Sequence, residues 1–232
     1  TAPRGLTWLH DSADGGDLIV AALVGGVPHP TGYPTFTLLA QFFTRLPWGT
    51  PAWRVTLLSA LAAALAAALV AATVQTLQAV VIDPGRPQSA QMERADRAAP
   101  EKPAAAWLGP ALAAGLVLAF TPLLWGQATV VEVYALQACL TASIVWALAH
   151  WLAAPETRRG RWRWPALVGL LLGLAVGNHL TAIWLLPLVV GGCLASGRRG
   201  WSDWRPALSL AGGLAAGLLV YAYLPLAASG QP

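Results

Sequence analysis

The stretch AWRVTLLSALAAALAAALVAATVQTLQAVV, residues 52–81, decides the fold. It is rich in Ala and Leu, and Arg54 is its one charge. A membrane crossing needs roughly 20 apolar residues in a helix. This run is therefore predicted to span a bilayer. Further apolar runs follow at about 105–124, 130–153, 165–177, 180–195 and 206–228. The 232-residue chain is 56% hydrophobic and 10% charged, with mean hydropathy +0.58. A soluble domain carries roughly 25% charged residues, and a soluble core of this length could not bury so much apolar surface. Lipid must be the solvent for much of the chain. The predicted fold class is all-α: a single polytopic membrane domain over 1–232, with about six membrane helices or half-helices between 52 and 228.

Residues 1–51 read as an outer loop that carries two short amphipathic helices, at 17–27 and 35–46. Each is too short to span and is expected to lie at the membrane surface or re-enter it. Between them, Pro28-His29-Pro30-Thr31-Gly32-Tyr33-Pro34 must be a stiff turn, because three Pro and a Gly forbid a continuous helix. Residues 1–16 are polar and lack the apolar core of a signal peptide. The chain starts without Met and reads as a piece of something longer, with an earlier membrane helix ahead of it. Several of its twelve Trp (Trp48, Trp53, Trp125, Trp151, Trp162, Trp164, Trp201, Trp204) fall where apolar runs meet polar ones, as in an interfacial belt. Cys139 and Cys193 lie inside apolar runs and read as buried, inert thiols. No zinc-type cysteine spacing occurs.

Orientation follows from the cations. The loops 83–104, 154–164 and 196–205 hold eleven of the fourteen Lys and Arg, leaving Arg4, Arg45 and Arg54 elsewhere. The positive-inside rule puts those loops in the cytoplasm, and it accounts for the net charge of +4 without nucleic acid. An even number of crossings must then separate successive loops, which the interruption Gly177-Asn178-His179 supplies. The chain is expected in a bacterial inner (plasma) membrane. Residues 1–51, the Thr121–Thr129 turn, Asn178-His179 and the C-terminus would face outside.

Six of the ten acidic residues fall in the cytoplasmic loops; Asp11, Asp14, Asp17 and Glu132 remain outside. Ionisable groups at membrane depth are costly and mark function by default. Asp14 and Asp17 are three apart, so a helix starting there lets two carboxylates converge. Such a pair can divide labour between deprotonating a nucleophile and holding a ligand. The competing reading is a helix cap at Asp14 with Asp17 completing a capping box. Thr129-Val-Val-Glu132 fits the same capping pattern, with Glu132 at the outer mouth of its helix either way. Near these acids in the topology lie His10, His29, Tyr33, Arg54, Tyr134, Asn178 and His179. A helix break at Asn178-His179 would expose backbone only where it lines a cavity, and His179 could there touch an anionic group. Arg54 is the outer cation best placed for a lipid phosphate, or else an interfacial anchor.

Asp14-Gly-Gly-Asp17-Leu-Ile, Gly26-Val-Pro-His-Pro-Thr-Gly-Tyr-Pro34 and Ala52-Trp-Arg-Val-Thr-Leu-Leu-Ser-Ala60 follow one another closely. Trp125-Gly-Gln-Ala, Glu132-Val-Tyr-Ala-Leu136 and Gly177-Asn-His-Leu180 come later. In this order they resemble the protein O-mannosyltransferase-like family of GT-C membrane glycosyltransferases. HPTGYP is the most specific block. The resemblance implies an acidic catalytic residue in the first outer loop, a polyprenyl-phosphate-linked sugar as donor, and transfer on the outer face. Relatives usually read Asp-x-Gly-Glu in that loop, so Asp17 stands where they have Glu. The resemblance also implies chain before Thr1 and after Pro232, so activity of this piece alone is not implied.

The reading is thus a membrane glycosyltransferase moving a sugar from polyprenyl phosphate to the hydroxyl of a protein or glycan acceptor. Asp14 or Asp17 would be the general base. The partner carboxylate and Glu132 would orient the acceptor, and Arg54, His29 or His179 would steady the departing lipid phosphate. Tyr33, Tyr134 and Asn178 complete the candidate binding set. Phosphate is a good leaving group, so no cofactor is required, though a divalent metal is compatible. The rivals are a lipid or small-molecule transporter or flippase, with broken helices around a midplane cavity, and a non-catalytic membrane subunit packed through Gly212, Gly213 and Gly217.

Overall fold

A computed structural model describes residues 14–81, 105–154, 162–196 and 204–229. Asp11, His10, most of the Lys- and Arg-rich loops and Trp201 lie outside them. The described residues form helices α1 (Gly15–Val24), α2 (Pro34–Thr44), α3 (Pro51–Val81), α4 (Ala105–Ala119), α5 (Pro122–Ala128), α6 (Tyr134–Ala153), α7 (Arg163–Asn178), α8 (Leu186–Ser196), α9 (Arg205–Leu218) and α10 (Tyr223–Ser229). Single 3-10 turns, Leu180–Leu185 and Leu219–Ala222, lead into α8 and α10. No strand occurs among the described residues.

Three helical stretches are long and apolar enough to cross a membrane: Pro51–Gln78, Tyr134–Ala153 and Arg205–Ser229. A fourth arises if α4 and α5 count as one span bent by 62°. The sequence reading carried this second span to 124 and made Thr121–Thr129 a turn. Instead the chain bends at Phe120–Thr121, and Pro122 opens a new helix at its first position, where a missing N–H costs nothing. Pro110, by contrast, is carried inside α4.

The core runs between α3, α6 and α7 and is built of small and branched side chains, with Val55, Ala66, Ile144, Ala147, Val168 and Leu172 buried. Trp151 is fully buried among them, not in an interfacial belt. It lies on the inward side of α6, and a belt residue must reach the headgroups. Cys139 and Cys193 are free. The short helices α1 and α2 both pack on α3, and α2 also packs on α7. Their outward sides are apolar: Val24 is 70% exposed and Phe42 63%. In water such surface would be unfavourable, so it meets lipid.

Helices α7 and α9 make the most intimate pair. Gly169 lies against Leu210 and Leu214, Gly173 against Leu214 and Gly217, and Gly177 against Val220. Both sets of numbers rise together, so the two helices run parallel. Parallel neighbours require the intervening residues 180–196 to return across the layer. Arg163 and Arg205 therefore start their helices at one end, and Asn178 lies at the other. Glycines spaced by four on both helices let the backbones touch, the arrangement that drives helix association where lipid removes the hydrophobic incentive. Gly213 and Gly217 lie in this seam, whereas Gly212 faces open space.

Candidate functional site at one end of the helix bundle

Asp14 and Asp17 begin α1. Asp14 occupies the N-cap position, but its side chain caps nothing. Asp17 does not reach back to Asp14. Its Oδ2 accepts the backbone N–H of His29 at 2.8 Å and lies 2.7 Å from His29 Nδ1. The capping-box reading of this pair therefore fails: the carboxylate bonds a residue twelve positions on. That crossing is possible because Gly25 ends α1 in the left-handed region (φ 69°), a conformation open to glycine, and turns the chain back. The two bonds from His29, backbone first, hold the Asp17 carboxyl below the usual carboxylate range.

A carboxylate can only accept, so His29 Nδ1 carries hydrogen and Nε2 is the free lone pair, an assignment made from the partners. Nε2 is 3.2 Å from the Tyr33 hydroxyl and 3.7 Å from Asp14 Oδ2. Tyr33 itself has positive φ (38°) just before Pro34 opens α2. Its ring stacks on His179, with centroids 6.2 Å apart and planes 7° from parallel. Tyr134, the first residue of α6, lies 5.4 Å from the same imidazole. His179 Nδ1 accepts the Thr181 N–H and lies 2.9 Å from the Thr181 hydroxyl. Its Nε2 therefore bears the hydrogen and can donate to an anion.

Glu132 does not cap α6. Thr129 ends α5 instead, its hydroxyl donating back to Gly126 O at 3.0 Å, and α6 begins only at Tyr134. Half-buried in this connection, the Glu132 carboxyl is pushed above its usual range by burial and, next, by Asp14. Burial, with Asp14 next, likewise raises the Tyr33 phenol. Asp14, Glu132, Tyr33 and Tyr134 thus share one electrostatic neighbourhood.

Asn178 is fully buried and holds the neighbourhood together. Its amide donates to Val133 O at 3.1 Å and Gln137 Oε1 at 2.9 Å, pinning the end of α7 to the start of α6. Arg54 goes elsewhere. Its guanidinium donates to the carbonyls of Trp48 (2.7 Å), Thr44 (2.7 Å) and Gly49 (3.0 Å), clamping the end of α2 to the start of α3. None of these partners belongs to the carboxylate–histidine group.

Sequence reasoning missed Gln137, Gln41 and Tyr223. The Tyr223 hydroxyl donates to Gly26 O at 2.6 Å and accepts from Gln41 Nε2 at 2.7 Å, so the break between α9 and α10 supports the HPTGYP turn from behind. A lone polar residue near the end of an apolar run was the available signal in each case.

The ionisable groups gather at helix ends, from four segments separated by up to about 160 residues, and not halfway along any helix. Among the described residues no set of three or more His, Cys, Asp or Glu has metal-binding geometry. No solved structure matches the chain. A curated relative, protein O-mannosyl-transferase TMEM260 of Mus musculus, is 30% identical over 228 residues, covering 97% of this chain and 28% of the relative. The chain thus spans under a third of that protein's length. The family described as the protein O-mannosyl-transferase TMEM260 N-terminal domain matches residues 14–199. This all-α membrane chain belongs to that family.

Proposed function

We propose that the chain forms the catalytic end of a membrane glycosyltransferase of GT-C type. It transfers a sugar, mannose by its family, from a polyprenyl-phosphate donor to an acceptor hydroxyl. The observation that carries this reading is the convergence of Asp14, Asp17, His29, Glu132 and His179 at one end of the bundle. The distribution of Lys and Arg supports reading that end as the outer face, and a bacterial inner membrane is the setting we favour.

The geometry divides the roles. Asp17 is committed to His29, whereas the Asp14 side chain is 55% exposed and makes no hydrogen bond of its own beyond the 3.7 Å approach of His29. Asp14 is therefore the general base, taking the proton as the acceptor oxygen attacks the anomeric carbon and the phosphate leaves with its bonding electrons. Glu132, half-buried in the electrostatic neighbourhood of Asp14, orients the acceptor. Of the three cationic candidates for the phosphate, we choose His179. Its Nε2–H is available and the Tyr33 and Tyr134 rings fix its plane, whereas Arg54 is spent on carbonyls and His29 faces two carboxylates. Phosphate leaves readily, so the chemistry does not demand a metal.

The test uses the full-length enzyme with a polyprenyl-phosphate mannose donor. Asp14→Asn should abolish sugar transfer with the helical content and unfolding midpoint retained. Wild-type turnover in Asp14→Asn refutes the assignment.

A further inference from the structure

We infer that His29 is the second station for the acceptor's proton: it takes the proton from Asp14 through Nε2, and Asp17 positions it to do so. The inference rests on the proposed function and adds a residue to it. Three observations carry it. His29 is bonded twice by Asp17 on one side, which fixes both ring orientation and tautomer. Its other ring nitrogen, which accepts the Tyr33 hydroxyl at 3.2 Å, lies 3.7 Å from Asp14 Oδ2. The side chain remains 35% exposed, so a proton arriving there has a way out to water.

With acceptor and lipid donor in place, water is displaced from Asp14 and the imidazole is the receiver at hand. The steps balance. The acceptor O–H loses its proton to Asp14 as the new C–O bond forms and the C–O bond to phosphate breaks. The proton then passes from Asp14 Oδ2 to His29 Nε2. The resulting imidazolium is neutralised by the Asp17 carboxylate across the ring, and its proton leaves to water, restoring both residues. The groups facing the imidazole are Asp14, Asp17 and Tyr33, with Glu132 behind Asp14. In the resting state the Tyr33 hydroxyl, 3.2 Å away, occupies the lone pair that the proton later fills. The pattern parallels a nucleophile–histidine–aspartate triad, in which the buried acid orients the ring without itself being protonated.

The experiment uses the full-length enzyme and polyprenyl-phosphate mannose. His29→Asn keeps an amide that can donate to Asp17, so the turn should stay folded. Its kcat should fall about 10²-fold with KM for the donor unchanged, the lower range for loss of a proton-transfer group. Asp17→Asn should cost a similar factor, and the double variant no more than either single one, because the two residues act as one unit. Added imidazole should restore turnover to His29→Ala and not to Asp14→Asn. A structural spacer at 29 gives the opposite pattern, wild-type kcat in His29→Asn and no imidazole rescue of His29→Ala, and overturns the relay alone. Wild-type turnover in Asp14→Asn overturns the relay together with the function it rests on. Nitrogen-15 spectra of His29 in nanodiscs provide an arm independent of activity: hydrogen on Nδ1 is expected, and hydrogen on Nε2 in the neutral ring overturns the inference.

Discussion

Gly212 and Gly213 are neighbours on α9, and replacing each with Ala should move stability in opposite directions. A Cβ at Gly213 would lie 2.8 Å from the carbonyl carbon of Ala166 and 2.9 Å from Leu170 N, and closer still to Ala166 O. All three atoms are backbone of α7, so no side-chain rotation relieves the clash and the helices must part. Overpacking costs about 1–3 kcal/mol, and contact with backbone puts this case near 3. The gain in helix propensity from Gly to Ala returns about 1 kcal/mol. Gly213→Ala should therefore destabilise by about 2 kcal/mol. At Gly212 nothing lies within 4 Å of the added carbon, so only the propensity gain remains, about 0.5–1 kcal/mol. The two variants should differ by about 3 kcal/mol, two decades in the folding equilibrium.

Reversible unfolding of the protein in mixed micelles, titrated with a denaturing detergent, reads this difference directly. A second variant sharpens it. A Cβ at Gly169 meets Leu214 N at 2.7 Å and the Leu210 carbonyl, so it opens the same seam. Once the helices have parted for one methyl group, the second costs less. The double variant Gly169→Ala/Gly213→Ala should fall short of the sum by about 1 kcal/mol or more. Equal shifts for Gly212→Ala and Gly213→Ala, or strict additivity of the seam pair, refutes the parallel glycine seam.

Other consequences are as direct. Arg54→Met removes donors from three carbonyls and should destabilise by about 2 kcal/mol. Arg54→Lys should not restore it, because a point charge cannot bridge the carbonyls of Thr44, Trp48 and Gly49; unfolding titrations check both. Asn178→Leu strands Gln137 Oε1, while Val133 O keeps the Gln137 N–H at 2.9 Å, and should cost about 1–3 kcal/mol, partly recovered by adding Gln137→Leu, since removing both partners costs less than removing one. The acidic limb of stability should carry two opposed contributions. Folded Asp17 holds its proton less tightly than the unfolded chain, so its contribution is present above the ordinary carboxylate range and is lost as pH falls through the lowered value. Folded Glu132 holds its proton more tightly, so stability is lost as pH rises from the usual glutamate value near 4.5 through the raised one. Unfolding midpoints against pH should lose the first limb in Asp17→Asn and the second in Glu132→Gln.

What could be read from the sequence depended on the range of the interaction. The spans were legible because an apolar run is its own signature: 52–81 and 206–228 match α3 and the Arg205–Ser229 span closely. Proline was read less well, since Pro122 starts a helix while Pro110 sits inside one; packing, not the residue, separates the two cases. Most members of the cluster were also legible, because ionisable residues are scarce in such a chain, though Arg54 lies apart from it. Their pairing was not. Asp14 and Asp17 are spaced as partners for each other on a helix, yet Asp17 bonds His29. The preference is set by the left-handed turn at Gly25 and the stiff segment after it, neither of which appears in a helical spacing rule. Glu132 likewise fits a capping pattern that Thr129 does not use, because Thr129 closes the helix before it.

One physical demand connects these misreadings. At the end of the bundle where the site lies, the helical ladder is interrupted at residues 25–33, 129–133, 179 and 219–222, among other places. Each interruption frees carbonyls that lipid cannot satisfy. A polar side chain from another segment meets them: Tyr223 bonds Gly26 O, Asn178 bonds Val133 O, and Tyr221 bonds Val176 O at 3.1 Å, while Thr35 adds a bond to Leu174 O at 2.7 Å. These side chains tie the breaks to one another, so the breaks must lie together. Non-helical backbone and its turns are what bring Asp14, His29, Glu132 and His179 to one place. Replacing Tyr223 with Phe should therefore loosen the HPTGYP turn and lower transfer without touching any group that contacts substrate, and it should do so with the α7–α9 seam intact. If Tyr223→Phe lowered stability by more than about 2 kcal/mol yet left transfer unchanged, the breaks would be scaffold independent of the site.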